Sequence, residues 1–162
     1  MTSGRRERFD GSPCDRKFSP ACSWRANTSS ISNDQNAANV LGRTNFTSEC
    51  GSCVNQSRLY APESVSSGPT NDRLFVTNSG NNRVLVFNAA KITNSMNASN
   101  VLGQADYTTR DSYTTRSGFN NPHQMFYDRG SGRLFVSDYN NHRVMIFEGD
   151  ARPRNFIKVM FP

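Results

Sequence analysis

Cysteines are the residues of this chain whose type and spacing most directly suggest a metal or redox site. They are Cys14, Cys22, Cys50 and Cys53, and the last two form a C-x-x-C motif within "CGSC". Such a pair is half of many zinc sites, and the upstream pair could supply the other half. However, the upstream spacing is loose for a zinc knuckle and no histidine lies nearby. The sequence favours free thiols, with a disulfide and then zinc as the alternatives.

Histidine is rare in this chain, which has only His123 and His142. A catalytic metal site draws several ligands from separate elements, and two histidines so close in sequence leave it incomplete. The sequence also has no G-x-S-x-G elbow and no phosphate-binding glycine loop. We therefore expect no catalytic residues, no metal site and no cofactor.

Exposed tyrosines interleaved with arginines are typical of surfaces that stack RNA bases. This chain has such a mixture in Tyr107, Arg110, Tyr113, Arg116, Tyr127 and Tyr139. The net charge of +6 also suggests a nucleic-acid partner. Residues 1–25 and residues 151–162 each carry a net charge of +3, however, so residues 26–150 are neutral. Overall charge thus gives an RNA-binding body no support, and RNA remains an alternative partner.

The first residues and the overall composition bear on domain organisation. Residues 1–36 are rich in Ser, Arg and Pro and show no strand pattern, so we expect a disordered or appended leader. They contain no apolar h-region of a signal peptide. No run approaches the roughly 18 apolar residues of a membrane helix, and the mean hydropathy is −0.69. We therefore expect no membrane partner, and the compartment is not predicted.

An internal repeat organises the rest of the chain. The stretch "RLFVTNSGNNRVLVF" (73–87) matches "RLFVSDYNNHRVMIF" (133–147) at eight of fifteen positions, with an offset of 60. "ANVLGRTNF" (38–46) matches "SNVLGQADY" (99–107) at an offset of 61, and Pro62 and Pro122 are again 60 apart. Three landmarks in one order at one period indicate a duplicated unit.

Each unit predicts a small antiparallel sheet. In the second unit we expect strands at 123–128, 133–137 and 143–149, while 99–107 is the outermost strand of the first. The apolar runs are continuous, which is typical of strands covered on both faces. Repeated four-stranded sheets packed between neighbours are the blades of a β-propeller. The predicted fold is all-β: a partial β-propeller of two four-stranded antiparallel blades, with a possible start of a third.

The repeated pattern resembles the NHL repeat. Pro is followed by an apolar strand, then V-(S/T)-(D/N)-x-x-N-x-R-V-x-(apolar)-F, and the resemblance covers residues 37–150. "NVLGQADY" looks like the long bacterial and environmental form of that repeat. The resemblance implies a propeller, commonly of six blades, that binds proteins or RNA. Some related propellers are lyases with metals held by histidines and acids, so a metal-dependent enzyme completed by other copies or missing chain is a further alternative.

One pair of residues differs between the two units. Asp138 and Arg143 flank the second hairpin connection, and we expect them to form an intra-blade ion pair. In the first unit Asn78 replaces the acid, while Arg83 is kept and could use the Asn78 oxygen as acceptor. Asp128, after the inner strand, becomes Gly68 in the same way. We treat Asp138 and Arg143 as structural rather than binding residues.

These observations predict a non-catalytic interaction module that binds a protein or peptide through its propeller loops. The candidate binding residues lie in the hairpin connections and inter-blade loops: Ser79, Asn81, Arg116, Tyr139, Asn140 and His142. The apolar tail 151–162 could begin a further blade. Because two blades do not close a ring, the chain is expected to be a fragment or to form a homo-oligomer.

Overall fold

The computed structural model describes residues 31–49, 53–68 and 72–148. The chain divides into two units, Met1–Ala37 and Ala38–Pro162. In the first unit the described residues 31–37 are exposed, and the Gln35 amide donates to the Ser32 carbonyl. All the strands below belong to the second unit. The boundary proposed for the leader, at 36/37, lies within the described residues, whereas most of the leader and all of the tail at 151–162 lie outside them, so both assignments remain predictions.

Seven β-strands form two antiparallel sheets. The first sheet contains β1 (Pro62–Gly68), β2 (Arg73–Asn78), β3 (Arg83–Asn88) and β4 (Asn100–Leu102), in that order. The second contains β5 (Pro122–Asp128), β6 (Arg133–Asp138) and β7 (Arg143–Glu148). Two open sheets of this kind are those of a partial β-propeller, so the predicted fold class is confirmed. A fourth strand of the second blade would come after Glu148, outside the described residues.

Both blades use the same strand register. Pro62 pairs with Asn78 and Pro122 pairs with Asp138. In each inner strand the register then shifts, before Val65 in β1 and before Met125 in β5. A one-turn 3-10 helix makes each hairpin connection, η1 (Ser79–Asn81) between β2 and β3 and η2 (Tyr139–Asn141) between β6 and β7. The 60-residue period of the sequence is therefore a structural period.

The outermost strand of the first blade is shorter than the sequence predicts. Only Asn100–Leu102 pairs with β3. Gly103 then turns the chain with a φ of +93°, where a Cβ atom would lie 2.2 Å from a ring carbon of Phe119. A glycine is needed here because the backbone is left-handed and because the aromatic ring leaves no space for a side chain. The apolar pattern of 99–107 therefore ends as a strand at Leu102.

A hydrophobic cluster holds the two sheets together. Its buried members come from both blades and from the link between them: Phe75, Val84, Val86, Phe119, Leu134 and Val136. Phe75 of the first sheet and Tyr127 of the second stack with ring centroids 5.6 Å apart. Between the inner strands, the Met125 and Tyr127 amides donate to the hydroxyls of Ser64 (3.3 Å) and Ser66 (3.1 Å). Small residues on β1 thus let β5 approach closely.

A second cluster covers the other face of the first sheet. Val76, Leu85, Phe87 and Ala98 are buried there, against side chains that include Leu41 and Leu59. The first sheet is therefore covered on both faces, as its continuous apolar runs predict. In the second sheet, Phe126, Val144 and Ile146 are 64%, 61% and 57% exposed. The outer face of the second sheet is therefore open among the described residues, as expected for the end blade of an array that does not close a ring.

Two further observations concern the cysteines and membrane segments. Cys53 is disulfide-bonded, and the other three cysteines lie outside the described residues. For Cys53 this corrects the preference for a free thiol. Within the described ranges, no helix has both the length and the apolar character needed to cross a membrane.

Candidate functional site

The two hairpin connections and the links that precede the inner strands form a continuous edge, which we call the rim. It consists of residues 60–61 and 79–82 in the first blade and 120–121 and 139–142 in the second. The Gly80 amide donates to the Tyr60 carbonyl and the Asn140 amide to the Asn120 carbonyl, both at 3.1 Å. Each connection ends in a left-handed residue, Asn82 (φ 50°) or His142 (φ 52°). The rim is thus a backbone-fixed platform with the same construction in both blades.

Asp138 and Arg143 form the expected pair beneath the rim of the second blade. Arg143 Nε donates to Asp138 Oδ2 at 2.8 Å, and the Asp138 side chain is fully buried. Asp138 also accepts from the Asn120 amide (2.7 Å) and from Asn141 Nδ2 (2.8 Å). The remaining guanidinium nitrogens of Arg143 donate to backbone carbonyls of the inter-blade loop, at Thr114, Thr115 and Gly118. The pair ties the hairpin to the preceding loop.

The first blade makes the same connection without a charge pair. Asn78 Oδ1 accepts from the Tyr60 amide (2.7 Å) and from Asn81 Nδ2 (3.2 Å). Arg83 is fully buried and donates to carbonyls of Asn55, Arg58 and Tyr107, while its Nε has no partner. Burial lowers the pKa of Arg83, and the charge of Asp106 opposes that shift. The expectation that Asn78 serves as the acceptor for Arg83 is therefore corrected.

Two of the six predicted binding residues have buried side chains. The Ser79 hydroxyl donates to the Pro122 carbonyl of the second blade. Asn81 is fully buried and donates to Asn78. Their side chains therefore hold the first blade together and attach it to the second, instead of lying on an exposed surface. Polar connection residues look alike in sequence whether the next segment covers them or not, which is why the pattern did not separate them.

The other four predicted residues are exposed. Arg116, Tyr139, Asn140 and His142 all face solvent, and the last three are consecutive or nearly so on η2. Tyr139 is 57% exposed, and its ring stacks on that of His123 with centroids 4.2 Å apart and planes 10° from parallel. Asn140 Nδ2 donates to Asn120 Oδ1 at 3.2 Å. The structure therefore brings Tyr139, Asn140 and His142 together on the rim, and the His123 ring stacks against that of Tyr139.

His123 supports this surface and was not predicted to do so. Its Nδ1 lies 3.5 Å from Glu63 Oε2 of the first blade, and its Nε2 lies 2.9 Å from Asn121 Nδ2. An amide donor at Nε2 leaves the ring proton on Nδ1, facing the carboxylate. Glu63 stands 60 positions before His123, so the repeat could have indicated this cross-blade pair. Among the described residues, no group of three or more His, Cys, Asp or Glu side chains is placed to hold a metal ion.

The remaining tyrosines are used within the fold or beside it. Tyr107 packs against the second hydrophobic cluster, as its place in the repeat predicts. Tyr127 stacks on Phe75 between the blades. The Tyr113 hydroxyl donates to Asp111 (3.3 Å), and the Asp111 charge raises the pKa of Tyr113. These three tyrosines therefore do not form a row of free rings on which nucleotides could stack.

Comparison with known proteins agrees with the repeat seen in the structure. Residues 119–147, which run from the inter-blade link to the end of the hydrophobic part of β7, match the NHL repeat. No curated protein matches the chain. The matched segment contains Pro122, the Asp138–Arg143 pair and the hairpin connection η2, and the first blade has the same elements except that Asn78 replaces the acid. The second blade of this chain is thus similar to the NHL repeat over residues 119–147.

Proposed function

We propose that this chain is a non-catalytic interaction module whose rim binds a protein or peptide ligand. The observation that carries the proposal is the exposed Tyr139 ring, stacked on His123 and flanked by Asn140 and His142. A large, amphipathic ring that is already immobilised loses little entropy on binding, which is what an interaction hot spot requires. The neighbouring side-chain amide of Asn140 supplies adaptable hydrogen bonds to a peptide backbone.

The construction of the rim supports binding over chemistry. Backbone hydrogen bonds and the Asp138–Arg143 pair fix η2 to its neighbours. His123 is engaged in this support through its contacts with Glu63 and Asn121. NHL-type propellers are commonly interaction modules, which agrees with this assignment.

A peptide library displayed on phage and selected against the whole chain tests the proposal. The selected peptides should bind Tyr139→Ala at least about tenfold more weakly than the original protein, as expected for a hot-spot ring. Phe46→Ala is the matched control, because Phe46 is an aromatic residue that is likewise 57% exposed but lies outside the rim. The control should leave the affinity unchanged.

Two results would contradict the proposal. One is a set of peptides whose affinity falls equally in both variants or in neither. The other is tight binding of single-stranded RNA that persists after residues 1–25 and 151–162 are removed and that is lost in Tyr139→Ala. The second result would assign the same ring to base stacking in place of peptide contact.

A further inference from the structure

Two surfaces of the blade pair expose apolar side chains on the faces turned away from the shared core. One is the outer face of the second sheet, which we call the trailing face: Gln124, Phe126, Phe135, Val144 and Ile146. Phe126, Val144 and Ile146 are each more than half exposed. The other lies along β1, which we call the leading face: Ala61, Pro62, Glu63, Val65 and Ser67. Val65 is 63% exposed.

The interface between the two blades shows how these surfaces would meet. Each trailing-face residue stands 60 positions after a residue of the first sheet that the second blade covers, for example Val144 after Val84 and Ile146 after Val86. Each leading-face residue stands 60 positions before a residue of the second blade that packs on the first, for example Val65 before Met125. The leading face of one copy can therefore pack on the trailing face of another.

The sizes of the side chains at the inner strands complement one another across such a contact. Inside the chain, large Met125 and Tyr127 of β5 meet small Ser64 and Ser66 of β1. At the equivalent positions between copies, the larger side chains belong to the preceding blade and not to the following one. Gln124 and Phe126 of one copy would meet Val65 and Ser67 of the next. The volume of each pair is roughly conserved, which close packing requires.

The acidic and histidine side chains at the inner strands are also complementary between copies. Inside the chain, Glu63 of the first blade faces His123 of the second at 3.5 Å. Between copies, His123 of the first copy would face Glu63 of the second. The carboxylate and the imidazole would alternate from blade to blade, so that every contact places an acid beside a histidine and none places like beside like.

A hydrogen bond between the two blades that involves a backbone amide also has an equivalent between copies. Inside the chain the Asn121 amide, at φ 53°, donates to Asn82 Oδ1 at 2.7 Å. Ala61 has the same left-handed conformation at φ 49°, and exposed His142 occupies the place of Asn82. The imidazole of His142 can accept the Ala61 amide of a second copy as Asn82 accepts that of Asn121.

We infer that this chain associates head to tail with further copies of itself, the leading face of each docking on the trailing face of the one before. The contact is heterologous, so it forms a ring if the rotation closes. Each contact repeats the inner-strand packing already present between β1 and β5 of one chain. It does not depend on the proposed function. It covers His142 and leaves Tyr139 and Asn140 for a ligand.

Sedimentation velocity on the whole chain and three single variants tests this inference. The original protein should sediment as a multiple of its 18.1 kDa mass at high micromolar concentration. Val65→Asp removes the leading face and Phe126→Asp removes the trailing face, and both should be folded monomers because both side chains are exposed. Ile92→Asp changes an exposed apolar residue outside the two faces and should leave the assembly intact.

Mixing the two face variants in equal amounts separates head-to-tail association from other kinds. Val65→Asp keeps a trailing face and Phe126→Asp keeps a leading face, so the mixture should form a one-to-one dimer and nothing larger. A monomeric original protein at high micromolar concentration would overturn the inference. An assembly that survives Val65→Asp would also overturn it, because two trailing faces would then be pairing with each other. Peptide binding at Tyr139 is measured separately and is unaffected by either outcome.

Discussion

At the scale of single residues, the two blades contain the same hairpin connection, once with an acidic residue and once with a neutral one. Asp138 is fully buried and depends on Arg143 for its counter-charge, whereas Asn78 in the first blade is neutral. Arg83 is buried without an acidic partner at hydrogen-bond distance, and its Nε is unpaired. Removing a buried charge's partner is expensive, whereas replacing Arg83 loses hydrogen bonds to three neutral carbonyls but recovers the desolvation cost of its buried charge.

We therefore predict that Arg143→Met destabilises the chain more than Arg83→Met does. Methionine keeps most of the side-chain volume, so the comparison reports polar contacts more than cavities. The cost at Arg143 should be roughly 2–4 kcal/mol in urea unfolding, because Asp138 stays buried and charged. Adding Asp138→Asn should recover part of that loss, because it replaces the buried carboxylate by a neutral amide like that of Asn78. Equal losses at the two arginines would contradict the role given to Asp138.

Asp128 gives a second residue-scale prediction. Its carboxylate accepts hydrogen bonds from the Ser131 hydroxyl and from the Gly130 and Ser131 amides, which lowers its pKa. A depressed carboxyl pKa contributes stability above the unfolded value of about 4, and this contribution is lost as pH falls through the folded value. Asp128→Asn should thus lower the melting temperature at neutral pH, and the difference from the original protein should shrink under acid conditions. Glu49→Gln, an exposed acid outside the turn, is the control.

At the scale of the elements, the link that follows the outer strand is fixed by one glycine. Gly103 combines a φ of +93° with a position at which an added Cβ atom would lie only 2.2 Å from a ring carbon of Phe119. Phe119 belongs to the cluster between the blades, so displacing it disturbs both sheets. We predict that Gly103→Ala destabilises the chain by roughly 2–4 kcal/mol in urea unfolding. Gly130→Ala is the matched control, because its Cβ would meet only the flexible end of Asp128 at 3.3 Å. A loss no greater than that of the control would contradict this role of Gly103.

The element-scale features show how far sequence reasoning reaches. A period of 60, the hairpins and the Asp138–Arg143 pair follow from residue types at fixed spacing, since each is local. The burial of Ser79 and Asn81 depends on Pro122 and on packing some distance along the chain, which spacing alone does not show. The cross-blade contact of His123 with Glu63 also joins residues that are distant in sequence. The length of β4 was set by Phe119, which likewise lies outside the local pattern.

At the scale of the whole molecule, the leader proposed for residues 1–36 remains a prediction. Deleting it should leave the β-sheet circular dichroism and the melting temperature nearly unchanged, because its sequence has neither strand pattern nor core. The disulfide of Cys53 makes the test more informative. A thiol reagent that labels Cys53 only after the deletion would place its partner in the leader. Failure of the shortened chain to fold would contradict the assignment of 1–36 as a dispensable segment.

Coverage of the sheets determines stability across the whole molecule. The first sheet is covered on both faces, and the second is open on one. Strands with both faces buried should open only with global unfolding, whereas an edge strand with an exposed apolar face should open locally. β3 and β7 are equivalent in the repeat, but β3 is also bonded to β4, so the comparison uses the amides that donate to the hairpin partner strand, β2 for β3 and β6 for β7.

Hydrogen exchange of the backbone amides, measured in dilute solution where copies are separate, tests the central claim most directly. We expect the β3 amides that donate to β2 to exchange far more slowly than the β7 amides that donate to β6, since Val84 and Val86 are buried while Val144 and Ile146 are exposed. Equal protection of β3 and β7 at every concentration would contradict it, because the outer face of the second sheet would then be covered within the single chain.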